Sequence, residues 1–129
     1  MLRALALGER AQASRRGTAE VFAFDTAAPA DPAAERVVRA VAAARSVPVP
    51  MFFHTSRCEA PVAQARQIAM YLVHVVLQRN YLQVGRYFRR DRTTVAHACA
   101  LVEDLRDDPA LDDELVRLEE TLKSELGAL

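Results

Sequence analysis

The sequence is short of the features that mark secreted and membrane-spanning proteins. It has two cysteines, Cys58 and Cys99, which are too few for a disulfide framework and fit a reducing compartment. No stretch approaches the roughly 18 consecutive apolar residues that a membrane-spanning helix needs. The apolar N-terminal stretch is interrupted at Glu9 and Arg10, so it lacks the core of a signal peptide. We therefore expect a soluble, cytoplasmic protein that does not associate with membranes.

Residues for catalysis or for holding a cofactor are scarce as well. The chain has no GxxxxGK[ST] phosphate loop, so no nucleotide is expected. It has three histidines, and none forms a recognisable set with a nucleophile or a carboxylate. His97 and Cys99 would lie about 200° apart on a helix and cannot bind the same metal ion. We predict no enzyme activity, no cofactor and no metal site, and we interpret Cys99 as a core residue.

The charge of the chain balances overall but is unevenly distributed. Residues 34–100 contain ten arginines and three acidic residues, a net charge of +7, whereas residues 101–129 contain three basic and ten acidic residues, a net charge of −7. All the basic residues of the middle block are arginine, which suits planar contacts with phosphates and bases better than lysine does. The block predicts a polyanionic partner, and arginine used for solubility alone is the alternative.

Hydrophobic spacing predicts an all-α fold, namely a compact helical domain preceded by a flexible N-terminal arm. Residues 1–30 have no strong apolar period and end in a linker-like stretch, so we expect the arm there and the domain over residues 31–129. Asp31 and Pro32 are suited to begin the first helix. Further helices are expected over residues 61–79, where Asn80 would stop the helix, and over residues 81–88, 91–106 and 112–126.

Two helix faces are candidates for contact with partners. The second helix would leave Arg66, Gln67 and Met70 open to solvent or to a partner. The last helix carries a row of leucines, Leu111, Leu115, Leu118, Leu122 and Leu126. We expect this leucine face to pack on the domain. A self-association seam or a protein-binding surface is the alternative, although the row spans barely two heptads.

The helices over residues 81–88 and 91–106 are separated by only Arg89 and Arg90. Helices joined by so short a connection must cross steeply, as in a helix-turn-helix. With Val95 and Val102 facing the core, the opposite side of the second helix is polar, as a recognition helix requires. The candidate base-contacting residues there are Asp91, Arg92, Thr93, Thr94 and His97.

These residue types match the chemistry of bases and phosphates. An arginine can pair with guanine, an aspartate can accept a hydrogen bond from cytosine, and a threonine methyl can touch that of thymine. Asp91 has an alternative role as a helix cap, and His97 as an ordinary surface histidine. The candidate phosphate-contacting residues are Arg57, Arg66, Arg86, Arg89 and Arg90.

Three stretches together resemble one known family. ARQIAMYL at residues 65–72, VGRYF at 84–88 and RDRTTVAHA at 90–98 are similar to the C-terminal DNA-binding domain of the bacterial chromosomal replication initiator DnaA. The similarity covers about residues 31–125 and implies a helical domain that binds a short duplex box. It also implies that Arg66 and nearby arginines hold phosphates, and that residues 91–94 face bases in the major groove with His97 close by.

The chain departs from the family pattern at three places. Arg92 stands where the family usually has histidine, so the preferred DNA sequence is expected to differ. The turn is one residue shorter and has Arg89 where glycine is usual, which affects the angle between the helices. The basic loop before the second helix is largely stripped of charge, with Arg57, Cys58 and Glu59. Minor-groove binding by this loop is therefore unsupported.

The resemblance does not extend to an ATPase domain. We interpret the chain as a stand-alone descendant of the DNA-reading module that binds double-stranded DNA in the nucleoid. The expected function is that of a transcriptional regulator. Two alternatives stay open, a modulator of replication that occupies initiator boxes and a protein-interaction module that kept only the fold.

Overall fold

A computed structural model describes residues 30–54 and 59–127 of the chain. In order these residues form α1 (Pro32–Arg45), a short 3₁₀ helix (Val49–Phe52), α2 (Ala60–Leu77), α3 (Tyr81–Phe88), α4 (Arg92–Leu105) and α5 (Pro109–Gly127). The part described contains helices and no strand, which confirms the predicted all-α class. No helix in it is both long and apolar enough to cross a membrane. The predicted arm lies almost entirely outside the described residues.

The predicted start of the first helix is confirmed. The Asp31 carboxylate accepts a hydrogen bond from the Ala34 backbone N–H at 3.2 Å, and Pro32 occupies the first turn. Asp31 also binds the Arg79 guanidinium at 3.1 Å. Desolvation opposes ionisation of Asp31, but its hydrogen bonds to Arg79 and Ala34 outweigh it and lower the pKa of this carboxyl. One carboxylate therefore caps α1 and ties it to the chain that follows α2.

Two predicted helix boundaries need correction. Helix α2 ends at Leu77, because Gln78 adopts the left-handed conformation with φ of 58°. Asn80 does not stop α2 but begins α3, where its side chain and that of Gln83 form a reciprocal capping box. Helix α5 starts at Pro109, three residues before the predicted position. Proline is suited to a first turn, and the Asp108 side chain accepts a hydrogen bond from the Ala110 N–H.

A single hydrophobic core forms around α2, which packs against every other helix. Val37, Val38 and Val41 of α1 are fully buried, whereas Ala44 near the end of the helix is exposed. Leu115 and Leu122 are fully buried, and the other three leucines of α5 pack against the core. The expectation that the leucine face packs on the domain is thus confirmed, and the alternative of a self-association seam or protein-binding surface stays a prediction.

The face of α2 that was expected to be open is covered. Arg66 is only 9% exposed and Met70 only 3%, so the prediction that this face is left for solvent is wrong. The 3₁₀ segment is the reason, since the Arg66 guanidinium donates to the carbonyls of Met51 at 3.4 Å and His54 at 2.9 Å. A chain segment before α2 thus folds back over it.

Arg106 fixes the end of α4 to the rest of the domain. Its guanidinium binds Glu119 at 2.9 Å, donates to the Tyr71 hydroxyl at 2.9 Å and pairs with Asp112. These carboxylates raise the pKa of Arg106, which is therefore permanently charged. The cluster joins α2, the α4–α5 turn and α5, so α4 is held at its far end as well as at its start.

Candidate nucleic-acid interface

A tight turn connects α3 and α4, and its geometry requires glycine at position 85. The Gly85 carbonyl accepts hydrogen bonds from the N–H groups of Arg89 and Arg90, the latter at 2.8 Å. A Cβ atom at Gly85 would lie far inside van der Waals contact with the Arg90 carbonyl oxygen. Arg89 adopts the left-handed conformation, with φ of 61°, which is costly for any residue with a Cβ. The predicted tight connection between the two helices, which is typical of a helix-turn-helix, is confirmed.

Asp91 begins the second helix of the pair as its N-cap. Its carboxylate accepts a hydrogen bond from the Thr94 backbone N–H at 2.8 Å. The Thr94 N–H and hydroxyl hold the pKa of Asp91 below its ordinary value. The capping role left open by the sequence is therefore confirmed. Contact of the same carboxylate with a base stays a prediction.

The outward side of α4 is polar and has small side chains at its centre. Arg92, Thr93, Thr94 and His97 are exposed. Ala96 is half-buried and Ala100 is exposed on the same side, which lets a groove wall come close. Behind them Val95, Ala98, Cys99 and Val102 are buried, as predicted. Burial and the nearby Glu103 raise the pKa of Cys99 to about 11, in keeping with its place in the core.

The five predicted phosphate contacts fall into three groups. Arg86 and Arg89 are exposed on α3 and on the turn. Like that of Arg92, neither side chain makes a hydrogen bond or ion pair within the described ranges. Arg57 lies outside the described residues. Arg66 is buried, and Arg90 is half-buried with its guanidinium donating to the His54 carbonyl. For Arg66 and Arg90 the geometry therefore favours a role inside the protein.

A feature that the sequence did not reveal is the docking of residues 49–54 against the helix-turn-helix. The Phe53 ring stacks on Phe88 with centroids 5.7 Å apart and meets the edge of Tyr87 at 5.5 Å. Arg66 and Arg90 both donate to the His54 carbonyl. A backbone carbonyl has no signature in the sequence, so only the aromatic residues, Phe53 before α2 and Tyr87 and Phe88 before the turn, could have suggested it.

Charge changes sign along α4. The helix starts beside Arg86, Arg89 and Arg92, whereas its far end and the turn after it carry exposed acidic residues, namely Glu103, Asp104, Asp107 and Asp108. Fourteen residues of α-helix separate the two ends by about 20 Å. A phosphate backbone would be attracted to the start of α4 and repelled by its end.

A tightly connected helix pair with a capped, polar and basic second helix defines a helix-turn-helix domain of the DNA-binding class. Its particular family is shown by comparison with known proteins. A family model described as the bacterial DnaA protein helix-turn-helix matches residues 34–102. The chain belongs to this family, which is a DNA-binding family and not an enzymatic one.

Two curated relatives give the same result, one of them over more of the chain. The chromosomal replication initiator protein DnaA of Paraburkholderia phymatum is 40% identical over 91 residues, which is 69% of this chain and 17% of that protein. The DnaA of Sphingopyxis alaskensis is 45% identical over 65 residues, covering 49% of this chain and 14% of its own length. This chain thus spans less than a fifth of the relatives that it matches.

Proposed function

We propose that this protein binds double-stranded DNA in a sequence-specific manner through the first two turns of α4 and acts in the nucleoid as a transcriptional regulator. The observation that supports this most is the exposed, polar start of a recognition helix whose other side is locked into the core. The family membership makes DNA the expected partner. The acidic far end of α4 restricts the contact to the start of the helix.

The base-contacting set comprises Asp91, Arg92, Thr93, Thr94 and His97. Arg92 lies at the first helical position and has a guanidinium that is unengaged within the described part of the chain, so it can pair with a guanine edge. Asp91 already accepts the Thr94 N–H, which leaves only part of its carboxylate for a base. Arg86 and Arg89 flank this start, and we assign them to phosphates. Arg57 remains a candidate from the sequence.

The test is selection of bound duplexes from a random DNA pool at near-physiological salt, followed by measurement with the variant R92A/T93A. We expect one short motif for the wild-type chain, and we expect the variant to lose at least tenfold in affinity for it. The control is R117A, because Arg117 is exposed on α5, far from the proposed contacts. Retention without a motif, or equal binding by R92A/T93A, would contradict sequence-specific reading.

The salt dependence tests the arginine set independently. With about two to three phosphate contacts, a fourfold rise in salt is expected to weaken binding by roughly 1 to 1.5 decades. An affinity that does not change with salt concentration would contradict the assignment of these arginines to phosphate contacts.

A second candidate is supported by the two curated relatives described above, which are both chromosomal replication initiator proteins. A chain that kept their target would occupy initiator boxes and modulate replication. The selected motif separates the two candidates, because similarity to the boxes of those relatives favours the modulator and a different motif favours the regulator. The family's histidine stands replaced by Arg92 here, which favours a different motif.

A further inference from the structure

We infer that Arg90 is a positioning residue, which holds the start of the recognition helix by anchoring the turn to residues 49–54 and does not contact phosphate. This inference rests on the proposed function, since it concerns how the same surface is kept in place for DNA. It assigns Arg90 a different role from Arg86 and Arg89, although all three belong to one basic stretch of the sequence.

The geometry around the His54 carbonyl supports this assignment. Arg66 reaches that carbonyl from α2 at 2.9 Å, and Arg90 reaches it from the turn. Two guanidinium groups from different parts of the fold therefore converge on one backbone oxygen. Phe53, the preceding residue, is packed against Tyr87 and Phe88 of α3. The segment over residues 49–54 is thus bound to α2, to α3 and to the turn at once.

The main chain of Arg90 completes this arrangement. Its N–H donates to the Gly85 carbonyl at 2.8 Å, and the next residue, Asp91, is the N-cap of α4. Any shift of Arg90 is therefore passed directly to the first turn of the recognition helix. Reading of base edges requires side chains to be held to within about 0.5 Å by supporting contacts. An anchored Arg90 supplies such a contact one residue before the reading surface begins.

The experiment compares two arginine-to-methionine variants of the full chain. Arg90→Met and Arg86→Met each remove one charge and keep an unbranched apolar stem. For both variants and the wild type, dissociation constants are measured for the selected motif duplex and for a shuffled duplex of equal length. The measurements use four salt concentrations, at a temperature well below each variant's melting temperature.

We expect Arg86→Met to weaken binding to both duplexes equally and to lower the slope of log K against log salt by about 0.9, as the loss of one phosphate contact requires. For Arg90→Met we expect an unchanged slope and at least a tenfold fall in the ratio of motif to shuffled affinity. A slope lowered as in Arg86→Met would show a phosphate contact and overturn the inference. A lower melting temperature with slope and ratio unchanged would show only structural support and overturn it too.

A second variant covers the case in which Arg90→Met does not fold. Phe53→Leu loosens the same segment at its aromatic contact without any change of charge, and the same fall in the ratio is expected. An unchanged ratio in this variant would count against the inference. A wild-type chain with no preference for any duplex would contradict the proposed sequence-specific binding. A wild-type preference that Arg90→Met and Phe53→Leu retain would contradict only the role inferred for Arg90, so the two outcomes are distinguishable.

Discussion

Replacing Gly85 by alanine tests how closely α3 approaches the turn. Two effects oppose each other at this position. Alanine stabilises a helix interior by roughly 0.5–1 kcal/mol relative to glycine. The new methyl group, however, would collide with the Arg90 carbonyl oxygen and also lie 3.4 Å from the Arg90 carbonyl carbon. Relief would require the turn to shift by about 1 Å, and overpacking of this kind costs about 1–3 kcal/mol.

The collision is therefore expected to outweigh the gain in helix propensity, with a net loss of about 1–2 kcal/mol for Gly85→Ala. For a domain of this size that corresponds to a fall of roughly 5–15 °C in melting temperature. Gly127→Ala is the matched control, because nothing lies within 4 Å of a Cβ atom there, and its stability is expected to stay near that of the wild type. Urea unfolding followed by circular dichroism measures both. A Gly85→Ala variant as stable as the wild type or more so would refute the tight-turn explanation.

Three further predictions concern the turn and the two ends of α4. Arg89→Gly is expected to be more stable than Arg89→Ala by about 1 kcal/mol in urea unfolding, since glycine accepts the left-handed conformation; equal stabilities would argue against backbone strain. Asp91→Ala is expected to lose about 1 kcal/mol of capping energy, which Asp91→Asn keeps. Because the pKa of Asp91 is lowered in the folded state, its contribution is complete above pH of about 4 and is lost as the pH falls through the lowered value; an acid unfolding profile of Asp91→Asn that matches the wild type would contradict this. Arg106→Met is expected to cost about 2–3 kcal/mol, because Glu119, whose side chain is only 15% exposed, would lose its ion pair. Adding Glu119→Gln should restore part of that loss, and strictly additive losses would exclude coupling.

Local signals account for most of what the sequence predicted. Asp31 and Asp91 are N-caps whose partners lie three residues ahead, and the leucines of α5 follow one another at helical spacing. Such features are decided within a few residues, so pattern alone identifies them. The left-handed residues at Gln78 and Arg89 carried no such signal, because neither side chain is typical of that conformation.

What the sequence missed depends on contacts between distant parts of the chain. Arg66 looked like a surface arginine because arginine is rarely buried and Gln67 beside it is polar. It is buried because residues 49–54, more than ten positions earlier, fold over it. The contact between the Arg90 guanidinium and the His54 carbonyl was missed for the same reason, since this main-chain acceptor lies 36 residues away. Side-chain chemistry correctly indicated that the outward side of α4 is polar. It did not indicate which arginines already donate hydrogen bonds within the protein.

The change of charge sign along α4 has a consequence for the kinetics of encounter with a polyanion. At physiological ionic strength the Debye length is about 8 Å, which is well short of the roughly 20 Å between the ends of this helix. A chain whose formal charge is zero therefore does not behave as a neutral particle at close range. Approach with the arginines leading is attractive, and approach with the acidic end leading is repulsive. Electrostatic attraction would therefore turn the protein into the productive orientation before contact and raise its association rate. Its dissociation rate would depend instead on the contacts that the start of α4 makes with the bases.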